Sequence, residues 1–103
     1  MATGRRPRCR KEPEEGHIVN ETELIERAEA LPARFADRVS AETLESLRLM
    51  DRGGEYGELA IELAASLART GAAVTPEERD ELRDLLEAMD MPTDPIRELN
   101  VQP

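Results

Sequence analysis

Residues Tyr56–Met89 run YGELAIELAASLARTGAAVTPEERDELRDLLEAM, and their spacing predicts two amphipathic helices folded back on each other. In the first, Tyr56, Leu59, Ala60, Leu63, Ala64 and Leu67 recur at the i, i+3, i+4, i+7 interval of a single helix face. Leu82, Leu85, Leu86 and Met89 repeat that interval in the second. Gly71 supplies the stop between them. Thr75 caps the second helix, Pro76 takes its first position and Glu78 closes a capping box.

The same signals extend outward in both directions. Downstream, Met91-Pro92-Thr93-Asp94-Pro95 halts the helix and restarts a short helical turn at Thr93, with Ile96 and Leu99 folded back as a lid. Upstream, Gly53-Gly54 ends a preceding helix through the left-handed conformation that glycine adopts at little cost. Ser40 caps that helix, and Leu44, Leu47 and Met50 form its apolar stripe. Leu49 lies off the stripe, so the helix is either covered on two sides or exposes a leucine. Phe35 and Val39 read as plugs in a connector containing at most a single helical turn. Asn20-Glu21-Thr22-Glu23 starts the first helix, whose face is Leu24, Ile25, Ala28 and Leu31, and Pro32 ends or bends it near Ala30. No strand is required. The links are short, which favours antiparallel neighbours. The expected fold is all-α: a small antiparallel four-helix bundle over residues 20–103, a short C-terminal helical turn, and a disordered basic tail over residues 1–19.

Composition agrees with that class. The 103 residues allow one domain, and aromatics are only 2% with no Trp, so Leu, Ile, Val, Met and Ala must build the core. The net charge is -9, but Arg5, Arg6, Arg8, Arg10 and Lys11 concentrate five positives at the start. The remainder holds 9 basic against 23 acidic side chains, a net of -14. Such a surface repels nucleic acid and anionic membrane and favours fast, salt-sensitive association with a basic protein. The single Cys9 excludes an internal disulfide and fits a reducing cytoplasm. No apolar run approaches the ~20 residues of a membrane span.

The sequence carries no catalytic constellation, so an enzyme is not expected, nor a cofactor or metal. His17 and Cys9 sit in the tail with no acidic residue placed to orient them. A closed zinc site would need four nitrogen or sulfur ligands, which the chain lacks. Asp51 and Glu62 take the first and twelfth positions of a twelve-residue calcium loop, but Tyr56 occupies the position where that loop requires glycine. Ser46 lies inside a helix rather than at the helix start where an acyl carrier would bear its prosthetic group.

What remains is acid on the polar side of the central pair. Glu77, Asp80, Glu81 and Asp84, with Glu87 at the edge, are spaced three and four apart and stack along the second helix. Glu55, Glu58 and Glu62 add an acidic edge to the first. The helix dipole accounts for acids in the first turn, but not for Asp84 or Glu87. Glu55, Glu58, Glu62, Glu77, Asp80, Glu81 and Asp84 are therefore the candidate partner contacts, although an ordinary solvated face would look the same.

The stretch Leu49–Ala64, LMDRGGEYGELAIELA, then Val74-Thr75-Pro76-Glu77-Glu78, then Leu82, Leu86 and Met89-Asp90-Met91, resembles small bacterial immunity proteins of the MafI type. These belong to a wider group with contact-dependent-inhibition and colicin D-like immunity proteins. The shared pattern is a glycine-glutamate lead-in, an Ala-hydrophobic-Glu-Leu helix and a Thr/Ser-x-x-Glu helix start. It covers about half of the chain, Ser46 to Leu99. The resemblance implies a cytoplasmic antitoxin that binds a cognate basic toxin domain, often a nuclease, and blocks its active site or substrate groove. Two rival expectations remain. One is a structural or regulatory helical module that associates with itself through Leu49 and neighbouring apolar positions, as a stable dimer, whereas the immunity reading expects a monomer or weak homodimer. The other is a nucleic-acid binder acting through the arginine tail.

Overall fold

Three of the helices begin where a short polar side chain replaces a missing backbone partner. The computed structural model describes residues 20–103; the tail, with Cys9 and His17, lies outside the described residues. Asn20 accepts the Glu23 N–H at 2.7 Å and opens α1 (Glu21–Glu29). Ser40 accepts the Thr43 N–H at 3.0 Å and opens α3 (Ala41–Arg52). Thr75 accepts the Glu78 N–H at 3.0 Å while Glu78 accepts the Thr75 N–H at 2.9 Å, the reciprocal capping box expected for α5 (Pro76–Ala88). Between α3 and α5 runs the longest helix, α4 (Tyr56–Thr70). Thr75→Ala removes one half of the box and should lower unfolding stability by about 1 kcal/mol in a urea titration. An unchanged midpoint would show that the box is idle.

The helices stop for the expected physical reasons, with adjustments. Pro32 does break the first helix: α1 ends at Glu29 and a one-turn α2 (Leu31–Arg34) follows, then a 3-10 turn Ala36–Arg38. Gly71 closes α4 at φ 76°. At the end of α3 the left-handed residue is Gly54, φ 73°, while Gly53 stays right-handed. After α5 the chain turns at Asp90, φ 58°, a conformation that short polar side chains tolerate. A 3-10 turn over Asp94–Glu98 then brings back Ile96 and Leu99, both nearly buried, as the expected lid.

One expectation fails. Two short strands, β1 (Ala73–Val74) and β2 (Asn100–Val101), pair in parallel with Ala73 opposite Asn100 and Val74 opposite Val101. Gln102 N–H donates to Val74 O at 2.7 Å, and the Asn100 amide donates to Gly71 O at 2.9 Å. Two residues are too few to show a period of two, so no local pattern announces the pair. It ties the C-terminus to the link between α4 and α5.

The core has α4 at its centre. This helix packs against α1, α3, α5 and the C-terminal 3-10 turn. Its Leu59, Ala60, Leu63, Ala64 and Leu67 are fully buried, together with Leu82, Leu85 and Leu86 of α5. Leu31, Phe35 and Leu47 complete the far side, and Val74 closes one end. Because α4 is covered on several sides, its small residues matter. A β-carbon at Gly57 would sit 3.0 Å from the sulfur of Met91, so glycine here lets the last segment lie close. The outward strip left on α4 is narrow, and Glu58 and Glu62 lie on it.

Candidate functional site

The acidic residues of α5 divide into two sets according to their angle around the helix. Glu77, Asp80, Asp84 and Glu87 follow the i, i+3, i+7, i+10 interval and lie opposite the buried leucines. Glu78 and Glu81 lie to one flank, where α1 and the α2 connector pass.

On that flank both carboxylates are held by arginines far away in sequence. Arg27 of α1 donates through Nε to Glu81 Oε2 at 3.0 Å and through Nη2 to Glu81 Oε1, a bidentate pair. The Glu81 side chain is only 17% exposed. Arg38 donates from Nη1 to Glu78 Oε1 at 2.6 Å and from Nη2 to Glu78 Oε2 at 2.9 Å. It also reaches Ala73 O at 3.2 Å, and its guanidinium stacks 4.4 Å from the centre of the buried Phe35 ring. Arg38 therefore joins the connector, β1 and α5. Its hydrogen bonds push the Glu78 carboxyl below its ordinary value, with help from the Thr75 N–H and against the opposing effect of burial.

On the outer side, Asp80 lies between Arg79 Nε at 3.0 Å and Arg83 Nη1 at 3.1 Å, and Arg83 also stands 3.6 Å from Asp84. These pairs are solvent-accessible and weak. Glu55, Glu58, Glu62, Glu77 and Glu87 form no ion pair among the described residues. Glu55, Glu58, Glu77 and Glu87 are exposed and Glu62 is half-buried. Of the seven candidates, then, Glu81 is committed internally, Asp80 and Asp84 are braced by neighbours, and Glu55, Glu58, Glu62 and Glu77 have no ion-pair partner among the described residues. The periodicity of α5 could not separate Glu81 from the rest, because Arg27 lies 54 residues away.

Other features belong to the frame rather than to chemistry. The Tyr56 hydroxyl donates to Glu29 at 3.1 Å, which links the starts and ends of α4 and α1 and raises the phenol above its ordinary value. Asp51 sits in the last turn of α3 and Glu62 in the middle of α4, so the twelve-residue interval is no loop. Among the described residues, no three acidic, histidine or cysteine side chains converge as a metal site would need. No described helix is long and apolar enough to cross a membrane. No protein-family model matches the chain, and no curated protein or solved structure shows significant similarity to it.

Proposed function

We propose that this chain is a cytoplasmic, non-enzymatic immunity protein that neutralises a basic toxin domain by stoichiometric binding. The observation that carries the reading is the separation of charge on the helices. Two acids of α5 are used to fasten the fold, while Glu55, Glu58, Glu62, Glu77 and Glu87 have no ion-pair partner among the described residues; the helix dipoles favour Glu55, Glu58 and Glu77 at the starts of α4 and α5, but not Glu62 or Glu87. Like charges at these spacings cost a few tenths of a kcal/mol per pair. That cost is offset when a cationic surface docks. On this reading the four long helices run as antiparallel neighbours, and the outward strips of α4 and α5 present carboxylates where a nuclease would bind phosphates. Asp84 takes part once Arg83 turns aside, and Asp80 once both Arg79 and Arg83 do. The resemblance of Ser46–Leu99 to immunity proteins supplies the biological class, and the acid arrangement makes it physically sound.

The partner to test is the basic C-terminal domain of a secreted polypeptide encoded directly upstream. Expressing that domain alone should arrest growth, and co-expressing this chain should restore it. The purified pair should associate one to one, with an on-rate that falls as salt rises. The triple variant Glu58→Lys/Glu62→Lys/Glu77→Lys, which leaves the Arg27 and Arg38 pairs intact, should slow association by about tenfold or more at low salt. Normal association of the folded triple variant, with normal salt dependence, would place the docking surface elsewhere. Absence of both protection and binding would remove the immunity reading itself.

A further inference from the structure

The outer face of α3 combines an exposed leucine with charges of both signs. Leu49, 56% exposed, is the large apolar side chain left in solvent among the described residues. Arg48 and Arg52 flank it one helical turn apart, and neither forms an ion pair among the described residues. Together with Glu45 they border a shallow cleft of about 350 Å³ that Ala41 and Leu44 also line. Two guanidiniums at i and i+4 repel each other, so this end of α3 would gain from meeting acid.

The complement is on the same helix. Glu42, Glu45, Leu49 and Arg52 fall at i, i+3, i+7 and i+10, one continuous stripe reading acid, acid, apolar, base from start to end. Reversing a second copy of this stripe about an axis near residue 47 sets Glu42 opposite the second copy's Arg52. It also sets Leu49 against the stem of the second copy's Glu45, within reach of Arg48. Two-fold symmetry repeats each contact. We propose that α3 is the contact between two copies of this chain, an antiparallel helix pair held by Leu49 and two Glu42–Arg52 bridges. The face is separate from the acids of α4 and α5, so a dimer leaves both of those strips open to a toxin. A single twelve-residue helix per copy is a small interface, and the dimer is accordingly weak.

Sedimentation equilibrium of the full chain from about 10 µM to about 1 mM tests this. The mass should climb from 11.5 kDa toward twice that value. Arg52→Glu and Glu42→Arg should each weaken association by about tenfold or more. Glu42→Arg is the sharper probe, because it lowers the net negative charge and would by general electrostatics favour association. The double variant Glu42→Arg/Arg52→Glu keeps the wild-type charge and should restore the dimer. All four positions probed or covered lie on the outside of a helix, and far-UV circular dichroism of each variant should match the wild type. A chain that stays monomeric throughout overturns the proposal and leaves the face to some other acidic helix. So does a dimer indifferent to both single reversals, or one that the double reversal fails to restore.

Discussion

Phe35→Ala is expected to lower unfolding stability by about 3–5 kcal/mol. Phe35 is the sole phenylalanine, fully buried in the connector between α2 and the following 3-10 turn. Its ring does two jobs. It fills the space between Leu31, Leu47 and the α4 core, and it is the platform on which the Arg38 guanidinium rests at 4.4 Å. Truncation leaves a cavity and removes the stacking surface together, so the loss should exceed that of a leucine on the rim. A domain of this size has a total stability near the low end of about 5–15 kcal/mol, so a sizeable unfolded fraction should be visible without denaturant. Urea unfolding followed by circular dichroism measures this, with Thr22→Ala, exposed on α1, as a surface control that should change stability by under about 0.5 kcal/mol. A loss below about 1 kcal/mol at Phe35 would mean that the connector does not organise the core.

Arg38→Met keeps most of the side-chain stem but removes the charge, and should cost about 1–3 kcal/mol at neutral pH, less than a fully buried pair because both side chains retain some solvent. The pH dependence identifies the cause. Glu78 is held below its ordinary value in the folded protein, mainly by the Arg38 hydrogen bonds. A depressed carboxyl contributes stability that is fully present above the unfolded value, about 4.3, and is lost as pH falls through the lower folded value. Arg38 stays cationic over this range, so the change belongs to the carboxylate. The gap between wild type and Arg38→Met should therefore be widest near neutrality and shrink below the ordinary carboxylate range. Equal destabilisation at pH 7 and in strong acid would assign the effect to lost packing on Phe35 instead. Glu78→Gln in the Arg38→Met background should then add little, since the pair is already broken.

Much of the helical frame is legible one turn at a time. Asn20, Ser40 and Thr75 cap helices because a side-chain oxygen satisfies an N–H two or three residues ahead. Pro32 ends a helix through its backbone restriction, and Gly71 and the Gly53-Gly54 pair through the left-handed freedom of glycine. The leucines at 59, 63, 67, 82, 85 and 86 share a buried face because helical spacing puts them there. Even the exposed Leu49 is visible as a residue off its stripe. All these are interactions within about four residues, and a linear string contains them.

Folding in three dimensions decided which carboxylates remain available. Glu78, Glu81 and Glu77 are alike in type and neighbourhood, yet Arg38 and Arg27 hold the first two from 40 and 54 residues away while Glu77 faces solvent. The parallel pairing of Val74 with Val101 and the seating of Arg38 on Phe35 have the same origin. A charge or a two-residue extended segment has no periodicity of its own. Its partner is chosen by how the helices pack, and only closing the chain on itself brings the two together.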